Sequence, residues 1–222
     1  MFTKETFQFL TALKEKNYKE WFHANKKRYE AIKKEMAAIT NDLIAGIASF
    51  DASVKDNTAK DCTFRINRDI RFSTDKSPYK TNLGAFIVEG GKKSGLAGYY
   101  LHVEPGNCFI GGGLHMPPSP TLKAVRSEIY NYTDEFLKII NDPNFKKYFG
   151  EIYGDKLKTA PKGFDKDFEY IDLLRYKSYT VALTTTSEEL MKPDGFEKTL
   201  DIFEAMHPFI AYLNRGIKEN QS

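Results

Sequence analysis

Over the first fifty residues apolar side chains recur every three or four positions. They then switch to alternation, so the chain predicts helices first and a sheet afterwards. Phe7, Leu10 and Leu13 mark one face of a short helix for which Thr3 is a natural N-cap. Asn17, with Glu20 three residues on, reads as a second helix start. A stripe of Tyr18, Trp21, Phe22, Tyr29, Ile32, Met36, Ile39, Leu43 and Ile47 follows. Asn25 interrupts it and must find hydrogen bonds; the expected partner is a bend at Arg68-Asp69. Beyond Ser49, Cys62, Phe64 and Ile66 alternate as in a half-buried strand, and LGAFIVEG, GYYLHVEP and NCFIGGGL read as three more. Pro105-Gly106-Asn107 predicts an antiparallel hairpin between the last two, and Gly90 to Gly95 an exposed turn.

From Ser119, a cap with Pro120 in the first turn, helical spacing returns through Leu122, Val125, Ile129, Tyr132, Phe136 and Ile139. A loop-rich tract leads to a strand at Tyr179–Thr185, and a final helix runs from Phe196 to about Ile217, bent or interrupted near Pro208. The fold class is α+β: a mainly antiparallel sheet packed against N- and C-terminal helices. A single domain over residues 1–222 is expected, helical over 1–50, sheet over 60–115, helices plus a further strand over 119–222.

Composition narrows this little. Hydrophobic residues make up 41% and aromatics 14%, ample for a core and contrary to disorder. A pI of 8.6 excludes a histone-like binder of nucleic acid but not a local basic patch. Two isolated cysteines make no disulfide framework. The Lys- and Glu-studded N-terminus is unlike a signal peptide, and no apolar run nears the roughly 18 residues of a membrane span. The expectation is a cytoplasmic protein with no membrane partner and no cofactor.

Charge is more informative. RINRDIRFSTDKSPYK, residues 65–80, holds Arg65, Arg68, Arg71, Lys76 and Lys80 against Asp69 and Asp75, a net +3 that equals the net charge of the whole chain. If Phe64 to Phe72 is extended, Phe64, Ile66, Ile70 and Phe72 share one face and Arg65, Asn67, Asp69 and Arg71 the other. Arg68 then falls on the apolar side, so it pairs with a carboxylate or the strand bends there. STDKSPYKT is turn chemistry that would hold Arg71, Lys76, Tyr79 and Lys80 around one oxyanion.

Several motifs occur in order along almost the whole chain. They are Glu20-Trp21-Phe22-x-x-Asn25-Lys26, Arg65 to Thr81, Gly98-Tyr99-Tyr100-Leu101-His102-Val103-Glu104-Pro105, Gly111-Gly112-Gly113 and Pro161-Lys162-Gly163-Phe164. In these the chain resembles the Domain of Unknown Function 2461 family. The resemblance implies a compact α+β domain found mainly in bacteria, and it brings no activity, substrate or catalytic residue.

Three readings of the residues stay open. The first is a site for a small phosphate- or carboxylate-bearing ligand on Arg65, Arg68, Asp69, Arg71, Lys76, Tyr79 and Lys80, with Asn25, Tyr100 and Lys162 near it. His102 and Glu104 on one strand face, with His115 after the hairpin, are candidates for acid–base work, and less so for metal binding. Ser73 or Ser77 would act as a nucleophile only if one of those histidines reached it. The second is nucleic-acid binding with Tyr79, Tyr99 or Tyr100 stacking on bases, against which the small net charge counts. The third is a non-enzymatic domain whose arginines only brace the fold. The glycine run signals close approach to the backbone, by a ligand or by a neighbouring Trp or Tyr ring.

Overall fold

In the computed structural model of the chain, residues 1–219 are described. Helix α1 (Lys4–Glu15), α2 (Lys19–Ala24) and α3 (Lys26–Ile47) form the N-terminal layer. A single 3-10 turn and α4 (Ala59–Cys62) lead to β1 (Leu83–Ile87), β2 (Gly98–Val103) and β3 (Cys108–Leu114). Helices α5 (Ser119–Asn131), α6 (Thr133–Asn141), α7 (Pro143–Phe149) and α8 (Ile171–Leu174) precede β4 (Tyr179–Thr185). Then come α9 (Ser187–Met191) and α10 (Gly195–Glu219). The sheet order is β1-β2-β3-β4, antiparallel throughout. The fold class is therefore α+β, as the change of period along the chain predicts. No described helix is long and apolar enough to cross a membrane.

Register divides the sheet into two faces. Ala85, Leu101 and Ile110 lie side by side, as do Ile87, Tyr99 and Gly112, and these face the helical core. Gly84, His102 and Phe109 form one row on the opposite face, and Phe86, Tyr100 and Gly111 the next. Asn107 N–H bonds the Glu104 carbonyl at 2.9 Å, closing β2 onto β3. Pro105 and Gly106 (φ +80°) occupy the corners, the residue pairing of a type II turn.

The glycine run serves packing. A Cβ on Gly112 would stand 2.4 Å from both the Gly98 carbonyl oxygen and the Met206 sulfur of α10. The sheet can therefore take its long helix at close range only without a side chain there. The intimate neighbour is Met206, not the aromatic ring expected.

Other expectations are corrected. Residues 59–62 are helical, because the Thr58 and Asp61 side chains form a reciprocal capping box. Cys62 thus closes a helix, Thr63 makes only an isolated bridge to Ala85, and Phe72 is 96% exposed rather than facing a core with Ile66. Asn17 does not start α2; Tyr18 does. Pro118 rather than Ser119 is the residue before α5, and Pro120 lies inside the first turn. The expected single helix through Ile139 breaks at Tyr132 (φ −127°, ψ 45°). At the break the Thr133 hydroxyl donates to the Ile129 carbonyl (2.7 Å), and the Tyr212 hydroxyl of α10 shares its proton between the carbonyls of Glu128 (3.0 Å) and Tyr132 (3.1 Å). Helix α10 itself runs through Pro208 uninterrupted.

Two substitutions test these joints in urea unfolding. Gly112→Ala should destabilise by about 1–3 kcal/mol through overpacking. Adding Met206→Ala should not restore stability, because the Gly98 carbonyl still blocks the methyl. Tyr212→Phe should cost about 0.5–1.5 kcal/mol, the net worth of one hydrogen bond, since both carbonyls keep backbone N–H donors; an unchanged midpoint would refute the hydroxyl's role at the α5–α6 break.

Candidate functional site

Residues 66–80 form a small hairpin standing off the sheet. Arg68 N–H bonds the Pro78 carbonyl (3.0 Å), Lys80 N–H bonds the Ile66 carbonyl (2.8 Å), and Asn67 faces Tyr79. At its foot Phe64 N–H reaches the Gly84 carbonyl of β1 at 3.4 Å. The other side is anchored by the helices. Asn17 Nδ2 donates to the Tyr79 carbonyl (2.9 Å) while its Oδ1 accepts from Tyr79 N–H (3.1 Å). The Tyr79 ring is buried and stacks on Phe22 at 3.9 Å and 16°. Tyr79 is therefore an anchor in the core and lends no ring to an open pocket.

The cations separate into two groups. At the tip, Arg68 is held by Asp75, by the Ser77 carbonyl (3.1 Å) and by Ser73 Oγ (3.4 Å). Arg71 is closed by Asp69 through two bonds of 2.9 and 2.6 Å, and Lys76 donates to the Ile70 carbonyl at 3.1 Å. The bonds from Arg71 hold the Asp69 carboxyl below its ordinary range. Those from Ser77, and then the Arg68 guanidinium, bring Asp75 down to about 2. These bonds all close within residues 68–77, so the tip braces itself.

The foot differs. Among the described residues neither Arg65 nor Lys80 has a carboxylate at ion-pairing distance; Lys80 Nζ lies 5.3 Å over the Phe64 ring. Burial first, and then the nearby Arg65 charge, push the Lys80 ammonium below its usual value. Arg65 does feel Asp69, but Arg71 already takes both oxygens of that carboxylate.

Beside this foot runs a polar row on β2. Glu104 accepts from Thr81 Oγ1 (2.8 Å), Asn107 Nδ2 (3.0 Å) and His102 Nε2 (3.3 Å). Burial opposes its charge, but the bonds from Asn107, Thr81 and His102 win and its carboxyl sits low. An ionised Glu104 can only accept, which places a proton on Nε2, and Nδ1 lies 3.0 Å from the Tyr100 hydroxyl. Burial, reinforced by Glu104, raises the Tyr100 phenol, which stays protonated. That hydroxyl fits because Gly84 lies beneath it, where a Cβ would come within 2.7 Å. His102 stacks on Phe109 at 4.6 Å and 12°. Both of its nitrogens are engaged, so it positions Tyr100 rather than offering a lone pair to a substrate.

The remaining candidates lie elsewhere. His115 follows the far end of β3, about six strand positions or roughly 20 Å from His102, and joins neither it nor Glu104. Asn25 bonds the Trp21 carbonyl (2.9 Å) and Arg28 (3.1 Å) at the α2–α3 junction, not the Arg68-Asp69 bend. Lys162 is exposed on a loop whose Phe164 packs edge-on against Tyr130 of α5, with no bond joining it to the hairpin among the described residues. Ser73 and Ser77 meet Arg68 and Asp75 instead of a histidine. Both cysteines are buried, and burial raises the Cys62 thiol to about 11. Tyr99 is wholly buried, so it and Tyr79 are closed to stacking partners. Two residues that position the site, Asn17 and Thr81, are not among the candidates read from the sequence: Asn17 reads as a helix start, and Thr81 enters only as the last residue of the Arg65–Thr81 motif.

No curated protein and no solved structure matches the chain. The family described as "Conserved hypothetical protein (DUF2461)" matches residues 5–212, so the chain belongs to that family.

Proposed function

We propose that this chain binds a small phosphate- or carboxylate-bearing molecule at the foot of the hairpin, against Arg65 and Lys80. The observation that carries this reading is a pair of like charges, one of them half-buried, with no acid between them. Such a pair costs free energy in the empty protein, and an anion turns the repulsion into attraction for both members. Arginine supplies a two-pronged donor and lysine a mobile point charge. The hairpin behind them is already fixed by Asn17, Tyr79 and the tip bonds, so little ordering remains to be done on binding. Tyr100, His102 and Glu104 form the neighbouring polar wall, joined to the hairpin through Thr81. Arg68 and Arg71, each paired with an aspartate of the tip, belong to the brace.

Thermal unfolding with pyrophosphate and citrate tests this. Either anion should raise the melting temperature of the parent protein, and Arg65→Ala/Lys80→Ala should abolish the rise. Asp69→Asn/Arg71→Ala, which removes that closed pair as a unit and frees no carboxylate beside Arg65, should keep it. No rise in the parent, or equal loss in this double variant, would sink the proposal. Binding should also depend on pH. Lys80 loses its proton below the ordinary lysine value of 10.5, so affinity should fall as pH rises through that depressed pKa. Lys80→Ala should remove this limb of a calorimetric pH profile.

A further inference from the structure

The chain contains seventeen phenylalanines, and all but two are buried or half-buried. The two exposed ones, Phe64 (43%) and Phe72 (96%), both lie on the basic hairpin. Each carries a cation over its ring: Lys80 at 5.3 Å from Phe64, and Arg71 at 5.9 Å from Phe72. Scattered exposed aromatics need no explanation. Exposed tyrosines lie elsewhere, at Tyr18, Tyr130, Tyr132 and Tyr153, but both exposed phenylalanines adjoin or lie within the segment that carries the chain's net charge. Within residues 65–80, pairing Arg68 with Asp75 and Arg71 with Asp69 leaves Arg65, Lys76 and Lys80 without a carboxylate at ion-pairing distance, and these three make up the segment's +3.

We infer that the hairpin binds single-stranded nucleic acid, with bases stacked on Phe64 and Phe72 and phosphates held by Arg65, Lys76 and Lys80. This rests on the anion-site reading: a phosphate of the polymer would occupy the Arg65–Lys80 site proposed above for a small anion. Flat apolar rings interleaved with cations suit a polymer that alternates planar bases with phosphates, and they need no particular base sequence. The rings sit at opposite ends of the hairpin, Phe64 beside the sheet edge and Phe72 in the tip loop, at most about 27 Å apart along the chain. A strand spanning several nucleotides can reach both. A lipid surface would engage the tip and leave Phe64 unused, and a duplex keeps its bases stacked on one another.

Fluorescence anisotropy of labelled twelve-nucleotide oligothymidylate and oligouridylate over a range of salt concentrations tests the inference. Binding should weaken with salt along a log–log slope of about −2, from three phosphates at roughly 0.7 each. Lys80→Ala should make that slope shallower by about 0.7. Phe72→Ala should weaken binding by about 5- to 150-fold, the range for one stacked base, and Phe72→Trp should preserve it. Because Phe72 is almost wholly exposed, its truncation leaves the fold intact. If pyrophosphate stabilises the protein but neither oligomer binds, the inference falls and the anion site stands; if neither acts, both fall. Unchanged affinity in Phe72→Ala, equal retention of a duplex of the same length, or binding only to phosphatidylserine vesicles would also overturn it.

Discussion

The position of the charged hairpin depends on one asparagine side chain. The Asn17 amide pairs with both backbone groups of Tyr79, the pattern a neighbouring strand would supply, although Asn17 lies between two helices. The Tyr79 ring then fills the core against Phe22. On the opposite side only the Thr63 bridge and the Phe64 amide join the segment to β1. The hairpin is thus suspended between the helical layer and the sheet edge. Arg65 and Lys80 keep their spacing because both supports hold.

Given that suspension, the cations divide by location. Toward the tip, Asp69 and Asp75 lie within a few residues of Arg71 and Arg68, and short-range geometry lets each pair close. Near the foot, the backbone has turned toward the sheet and no acid of the loop remains within ion-pairing distance. The nearest carboxylate of the β2 row, Glu104, already accepts three bonds of its own. Internal satisfaction at one end and unmet charge at the other follow from where two aspartates fall in sixteen residues.

What the sequence disclosed was local. Alternation and the Pro-Gly corner marked β1 to β4 and the β2–β3 turn, and the charge excess marked the hairpin. Short-range signals were also misread: Thr58-x-x-Asp61 is a cap, and it makes Cys62 helical rather than extended. Counting the antiparallel register would have placed His115 away from His102. The rest was set by partners far along the chain. Nothing near Tyr132 announces that Tyr212 will take its carbonyl, nothing near Asn17 announces Tyr79, and the neighbours of Gly112 announce a close contact without naming Met206. Of these residues the family's motifs contain only Tyr79 and Gly112, and their partners lie outside the motifs.

The sheet's two margins have a consequence for solubility. Among the described residues, the β1 edge is met by the Thr63–Ala85 bridge and the Phe64 N–H to Gly84 carbonyl bond, and the β4 edge by the Tyr153–Thr180 bridge. Neither set of contacts adds a strand, yet each occupies a rung that a foreign peptide would need for continuous ladder pairing. Strand addition from another molecule would be interrupted at both borders. An otherwise open antiparallel sheet is thereby guarded against edge-to-edge aggregation at the cost of short loop contacts.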